Sequence, residues 1–583
     1  MEGDRDSLTR DSEPKIWREP AFYLLAVLVA VIYFSRIATL PIVGEEPRWA
    51  RGAAQMLETG DWIVLRQQGN VFPERPPMSS WAMAVAALAW GDLDAVAVRL
   101  PSAFAIVLTC LLIYAYARSF LSSTGALVGG LAYGTFGQVL QIGRHGESEA
   151  LFTLLLGGAI LVWHLGYLRG WTQLATWSTA YFLAAVAALC KGPQGPIYFG
   201  AVVFIYLLIR RDWRWLFDWT HAAGMSVFAA TIACWQVPYY LMTDWNAVHD
   251  TWAGLTKDRY MAPGFVQHVI SYPIEILICL LPWSPLLFMF ISRKFRELKT
   301  PAIYLATAVA VTFPSVWFAP LARGRYYMPL YPCLAVLIAV VVHRCATLAA
   351  DAPAHRVWKG FMLLGSLTSI TLGTGAIVVL LLPQTAEVLA SVPPLMLIAL
   401  AAIGFATASI QIWASRDSGL TRTAVASVAF AGLLGFTYTG PAIDVYAARW
   451  HDYEPDVAKM RAMIPEPDAM ISLGPVNAGF AYHYRSFVRE MPWPTKDSDL
   501  SDDIEYFFVM QYADDTPETH YVGRGRSWKT VPGQLPFDWE EMARLPLGRR
   551  VTENPTDILV LARVCRPESI ALQSGSPAAT SRR

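Results

Sequence analysis

The sequence predicts an all-α polytopic membrane protein of about thirteen transmembrane helices, followed by a small extracytoplasmic α/β domain. Three observations point there. Apolar residues gather in blocks of about twenty, the length that crosses a ~30 Å hydrocarbon core as helix. Only 16% of the 583 residues are charged, against roughly 25% in soluble domains, and the mean hydropathy is +0.36. After about residue 442 the blocks stop and short β-rich runs separated by polar turns take over.

The rest of the composition agrees. Twenty-two Trp and twenty-five Tyr suit two interfacial belts, where aromatic rings sit at headgroup level. The formal net charge is zero, which argues against nucleic acid as a partner and leaves the lipid bilayer as the expected one. The seven cysteines match no metal-ligand spacing, and Cys565 alone lies in the polar C-terminal region. The first apolar block is a full span without a small-residue cleavage pattern, so no cleavable signal peptide is expected.

The spans are expected near 21–40, 98–118, 124–142, 149–168, 173–190, 193–209, 221–241, 273–292, 301–319, 326–343, 360–382, 393–413 and 423–441. Residues 1–20 form a short cytoplasmic segment, and 21–441 the membrane domain. Basic clusters set the orientation: Arg210, Arg211 and Arg214, then Arg293, Lys294, Arg296 and Lys299, flank spans that end on the cytoplasmic side. The loops 43–97 and 243–272 then face outward, and both are long enough to be functional. In the first, 46–58 reads as an amphipathic helix with Trp49, Ala53, Met56 and Leu57 on one face and Arg48 and Arg51 elsewhere. Residues 78–90 read as a second helix, lying at the membrane surface. The region 442–565 is expected to be an extracytoplasmic α/β domain with strands at 469–474, 504–511 and 557–564, and 566–583 a disordered tail.

Ionisable residues at span ends are costly and point to function. Here they gather on the expected outer side: Glu45 and Glu46, Glu74 and Arg75, then Arg144, Glu147 and Glu149, then Lys191, then Arg323 and Arg325 beside Tyr326. A charge at a helix end is ordinarily a solvated cap or a snorkelling anchor. Lys191 fits that reading poorly, because Gly192-Pro193 turns tightly between two apolar blocks. The residue types suit transfer of a sugar from a polyprenyl phosphate. A carboxylate takes the acceptor's proton, and cations stabilise the departing lipid phosphate. Arg offers a planar fork and Lys a point charge for that phosphate.

The segments GEEPRWARGAAQMLETGDW (44–62), ERPP (74–77), RLPSA (99–103), RHGESE (144–149), CKGP (190–193) and RYYMPLYP (325–332) occur in this order. Together they resemble the bacterial lipid-linked-sugar transferases of the GT-C fold, which comprise the lipid A aminoarabinose transferase and related protein O-mannosyltransferase-like membrane enzymes. The resemblance covers about 20–345. It implies a membrane glycosyltransferase of the bacterial inner membrane. Such an enzyme moves a hexose or pentose, with inversion, from a polyprenyl-phosphate-linked donor to a glycolipid or protein acceptor.

By the same resemblance the catalytic carboxylates fall on Glu45, Glu46 and Glu149, with Glu147 as the alternative to Glu149. The first position is Glu where the family has Asp, one methylene shorter. The donor phosphate falls to Arg75, Lys191, Arg323, Arg325 and Tyr326. A divalent metal near that phosphate, held by a Glu and a His in some members, would take Glu74 and His268. The rival readings are a lipid or glycan transporter and a catalytically inactive scaffold. A transporter predicts charges at span midplanes and repeat symmetry between halves; neither is visible in the sequence.

Overall fold

The computed structural model describes residues 15–67, 69–72, 75–253, 264–291, 300–347, 353–417, 419–450, 452–464, 469–474, 476–492, 494–511, 535–546 and 558–565. Glu74, most of the expected N-terminal segment and the expected tail lie outside them. The chain forms two compact units: Met1–Thr39, Thr59–Leu65 and Phe72–Val445 make one, and Leu40–Glu58, Arg66–Val71 and Tyr446–Arg583 the other.

The first unit is helical. Seven helices among the described residues are long and apolar enough to cross a membrane: Ala95–Ala117, Ser148–Arg169, Gln173–Lys191, Gly324–Thr347, His355–Leu381, Pro394–Ala414 and Leu420–Ala447. Pro20–Phe34, Met78–Trp90, Gln194–Arg210 and Pro301–Trp317 are shorter apolar helices. The number thirteen is therefore not reproduced as a count of full-length apolar helices. Two expected spans are broken. The span expected at 273–292 is a pair, Phe265–Cys279 and Ser284–Ile291, bent by 116°. The span expected at 124–142 divides into Ser123–Gly134 and Gly137–Ile142.

The two breaks support each other. Trp283 Nε1 donates to Thr135 Oγ1 (2.9 Å), and the Gly137 N–H donates to the Leu281 carbonyl (3.0 Å). Backbone groups freed inside an apolar bundle need such partners, because no water is there to supply them. Elsewhere small residues allow close helix approach. A Cβ on Gly129 would meet Ala339 Cβ and Ile113 Cγ2 at 3.2 Å, which seats helix Ser123–Gly134 between its neighbours.

The second unit contains a five-stranded mixed sheet. Its order is Arg489–Met491, Met470–Leu473, Tyr506–Gln511, Ile558–Val564 and Trp539–Pro546. The first three strands run parallel to one another, and Ile558–Val564 is antiparallel to both its neighbours. The three expected strands form, and the two edge strands join them. Side chains alternate between two faces with the period of two that a strand imposes. Phe508, Leu559 and Leu561 pack with Val457, Met460 and Phe480, whereas Phe507, Val560 and Ala562 pack with Ile471 and Leu473.

The same unit carries helix Glu46–Thr59 and the hairpin Arg66–Gln67 with Asn70–Val71. Arg51 departs from its expected position off the apolar face: it is buried, and its guanidinium lies 3.2 Å from Glu58.

Candidate active site

The helical unit brings four charged side chains together from three distant stretches of chain. The start of helix Ser148–Arg169 supplies Glu147 at its N-cap and Glu149 in its first turn, helix Gln173–Lys191 ends on Lys191, and the short 3-10 helix Gly324–Leu330 supplies Arg325. Lys191 Nζ lies 2.7 Å from Glu149 Oε1, and Arg325 Nη1 lies 2.7 Å from Glu147 Oε2. Arg325 Nε is also 3.8 Å from Glu149 Oε1, so the two pairs form one network. Glu147, Glu149 and Lys191 are each at most 7% exposed. Charges removed from water this far persist only when paired.

Local sequence explains each position. Gly192 has φ +91°, a conformation that favours glycine, and it ends the helix directly after Lys191. Pro193 then precedes helix Gln194–Arg210. The segment leading into helix Ser148–Arg169 is held against helix Ala95–Ala117. A Cβ on Gly146 would meet Val98 Cγ1 at 2.4 Å, and Ser102 Oγ donates to the Glu147 carbonyl at 3.4 Å. The 3-10 helix is braced by Glu275, whose Oε1 accepts the Gly324 N–H at 2.6 Å.

Aromatic rings complete the surroundings. Lys191 Nζ stands 5.2 Å from the Tyr326 ring centroid and 5.7 Å from that of Phe152, and the Arg325 guanidinium carbon stands 5.7 Å from Tyr326. Both cations thus share one ring at cation–π distance. Arg75 is half-buried and within electrostatic range of Glu149. Counting it, three cations face two carboxylates among the described residues.

The expected site residues divide by position. Arg75, Glu147, Glu149, Lys191, Arg325 and Tyr326 converge. Arg323 is exposed, and its backbone carbonyl accepts from Tyr272 Oη at 3.4 Å. Arg144 lies away from the ion pairs: it donates to the Ile32 carbonyl at the end of helix Pro20–Phe34 and stands 5.5 Å from the Tyr438 ring. That is a helix C-terminal cap, where a cation is favoured.

Glu45 and Glu46 belong to the other compact unit, at the start of helix Glu46–Thr59. Glu45 is half-exposed, with Oε2 3.3 Å from Arg48 Nη1. Glu46 is fully buried, and its Oε2 accepts the Val43 N–H at 2.9 Å.

His268 Nε2 lies 3.2 Å from the Val316 carbonyl, so that nitrogen carries the proton and donates. Among the described residues no group of three or more His, Cys, Asp and Glu could hold a metal ion. Glu74, the other residue expected to hold a divalent ion, lies outside the described residues.

Sequence reasoning missed Glu275. It is the one carboxylate in the apolar stretch 264–291, and an ionisable residue inside a membrane helix is itself a functional signal.

The family description "Dolichyl-phosphate-mannose-protein mannosyltransferase" matches residues 74–236, which include Arg75, Glu147, Glu149 and Lys191. An uncharacterised protein of Aquifex aeolicus is 24% identical over 326 residues, 54% of this chain and 63% of that protein. The undecaprenyl phosphate-alpha-4-amino-4-deoxy-L-arabinose arabinosyl transferase of Pseudomonas aeruginosa is 26% identical over 322 residues, 52% of this chain and 55% of that enzyme. The matches thus span little more than half of the relatives' length.

Two crystal structures of ArnT from Cupriavidus metallidurans superimpose on 92% of this chain and 97% of theirs. The structure bound to undecaprenyl phosphate has a TM-score of 0.65 at 17% identity, and the apo structure 0.68 at 16%. The chain therefore has the GT-C fold of the ArnT structures and, over about half its length, resembles the aminoarabinose transferases in sequence.

Proposed function

We propose that the protein is a membrane glycosyltransferase that moves a sugar from a polyprenyl-phosphate donor to an extracytoplasmic acceptor, with inversion. The observation that carries this reading is the buried network of Lys191, Arg325, Glu147 and Glu149, set in an ArnT-like fold. The similarity to proteins named for undecaprenyl phosphate-linked arabinose and for dolichyl phosphate-linked mannose supports a lipid-phosphate-linked pentose or hexose as donor.

In the proposed reaction the acceptor hydroxyl oxygen attacks the anomeric carbon. The bond from that carbon to the phosphate oxygen breaks, and its electron pair stays on the lipid phosphate. Lys191 and Arg325 stabilise that charge, with Arg75 beside them. Glu149 and Glu147 hold the two central cations in place before the donor arrives, so little reorganisation is needed during transfer. Tyr326 fixes both cations through its ring. Glu45 takes the acceptor's proton, and Glu46 fixes the chain beside it through Val43. The site and the 442–565 domain face the extracytoplasmic side of a bacterial inner membrane in this reading.

Binding of polyprenyl phosphate to the purified protein tests the phosphate site. Lys191→Ala is expected to weaken binding about tenfold or more, a charged hydrogen bond being worth about 1.5–3 kcal/mol. Lys191→Arg is expected to recover only part, because a planar fork does not replace a point charge in a tight turn. Unchanged affinity in Lys191→Ala would reject the phosphate role.

A further inference from the structure

The loop between helices Gln194–Arg210 and Trp219–Met242 carries a charged and aromatic surface that the proposed transfer does not use. Helix Gln194–Arg210 starts three residues after Lys191. Its seventeen residues rise about 25 Å, close to the thickness of a hydrocarbon core. The loop therefore lies at the far end of the bundle, opposite the carboxylate network. Helix Ser148–Arg169, which starts at that network, reaches the same end, where Tyr167 Oη donates to Asp212 Oδ2 at 3.0 Å.

The local sequence, RRDWRWLFDWT (210–220), sorts its side chains by environment. Trp215 is buried, its ring centroid 5.0 Å from that of Tyr167 and 5.8 Å from that of Trp163, and it pins the short helix Arg214–Phe217 to the bundle. Phe217 is 83% exposed, and Trp213 and Trp219 are exposed on either side of it in sequence.

Both carboxylates of the loop already accept hydrogen bonds. Asp212 accepts from Tyr167, and Asp218 caps the next helix by accepting the Thr220 N–H at 2.9 Å. Arg210, Arg211 and Arg214 are exposed and make no ion pair with a carboxylate among the described residues. Arg211 takes φ +55° at the end of helix Gln194–Arg210, a place that glycine ordinarily fills, so a charge is kept there against backbone preference.

We propose that this loop is a docking surface for anionic phospholipid headgroups of the leaflet opposite the candidate active site. The three guanidinium groups contact headgroup phosphates, whose oxygens suit a planar fork. Trp213, Phe217 and Trp219 enter the headgroup layer beside them, where aromatic rings settle. Basic groups clustered at the end of a membrane helix select anionic over zwitterionic lipid. An acidic soluble protein would match the arginines alone. Arginines and exposed rings together, one membrane thickness from the network, match the headgroup layer. The surface stands whether or not the protein transfers a sugar.

Native mass spectrometry of the full-length protein tests it, with phosphatidylglycerol, phosphatidylcholine and inorganic phosphate as separate probes. The wild type is expected to retain phosphatidylglycerol over phosphatidylcholine. In the triple variant Arg210→Gln, Arg211→Gln, Arg214→Gln, retention of phosphatidylglycerol is expected to fall about tenfold or more, with phosphatidylcholine held as before. Arg416→Gln removes an exposed arginine at another helix end and is expected to behave as the wild type. Phe217→Ser with Trp219→Ser keeps every charge and is expected to lower retention of both lipids several-fold. All these side chains are exposed, so the variants are expected to keep the wild-type thermal midpoint in lipid-free detergent. Undiminished phosphatidylglycerol retention in the triple variant would overturn the proposal, as would equal retention of the two lipids by the wild type or displacement of the lipid by inorganic phosphate. Undiminished retention in Phe217→Ser with Trp219→Ser would overturn the choice of a lipid surface over an acidic protein.

Discussion

Lys191 Nζ and Glu149 Oε1 are 2.7 Å apart, and their side chains are 3% and 6% exposed. The pair joins the end of one apolar helix to the start of another. Removing one partner leaves a buried charge with less compensation, which costs about 3–5 kcal/mol, whereas replacing both with apolar groups is often close to neutral. Lys191→Met and Glu149→Leu are therefore each expected to lower the thermal midpoint in detergent. The double variant is expected to recover most of the loss. Additive losses would show that the two residues are not coupled.

Glu275 is expected to act by position. Its carboxylate accepts the Gly324 N–H and so fixes the turn that carries Arg325 and Tyr326. Glu275→Gln keeps an oxygen acceptor at that place and is expected to retain most donor binding. Glu275→Leu removes the acceptor and is expected to weaken polyprenyl phosphate binding several-fold while the protein remains folded. Equal behaviour of the two variants would remove the turn-bracing role.

The far end of the bundle has a pH-sensitive tie. The Glu19 carboxylate accepts from Arg118 Nη2 at 2.7 Å and from Tyr114 Oη, and the Arg118 hydrogen bond holds its pKa below the ordinary value. A depressed folded pKa gives stability that is present above the unfolded pKa and is lost as pH falls through the folded one. The difference in thermal midpoint between wild type and Glu19→Gln is therefore expected to be constant near neutrality. It should shrink as pH drops below about 4.3, the unperturbed Glu value. A difference that does not change with pH would remove the tie.

The sheet domain offers a test of orientation. Ser472 is buried in its strand, whereas Ser498 lies in an exposed turn of the same domain. Ser498→Cys, in a background without the exposed Cys234, is expected to react with a membrane-impermeant reagent from the outer face of the inner membrane. Labelling only after that membrane is permeabilised would place the domain in the cytoplasm and reject the proposed outward site.

Much of this architecture was legible because it is written locally. Lys191-Gly192-Pro193 contains its own explanation: a charge that ends an apolar run, a residue free to take positive φ, and a residue that starts the next helix. Apolar block length marked where helices lie, and short β-rich runs between polar turns marked Met470–Leu473, Tyr506–Gln511 and Ile558–Val564.

What was illegible depends on distant partners. The helix breaks at Thr135 and before Trp283 satisfy each other across 148 positions of chain, so neither apolar run reveals its own break. The pairing of Arg325 with Glu147 spans 178 positions, and only folding could choose it over Glu45 or Glu46 as the arginine's partner. The edge strands Arg489–Met491 and Trp539–Pro546 are short or charged, and one ends in proline, so their pairing comes from the sheet.

The transfer reading is tested most directly by following the donor itself. Purified protein in liposomes is given a polyprenyl-phosphate-linked sugar and an extract of cell-envelope glycolipids and proteins. The wild type is expected to release free polyprenyl phosphate and place the sugar on a component of the extract. Glu45→Gln is expected to lose about 10²–10⁴-fold of that activity, as removal of a general base does. Glu46→Gln, which keeps an oxygen for the Val43 N–H, is expected to lose much less. A donor that changes leaflet but stays intact, or one released equally by Glu45→Gln, would contradict a glycosyltransferase with this catalytic carboxylate.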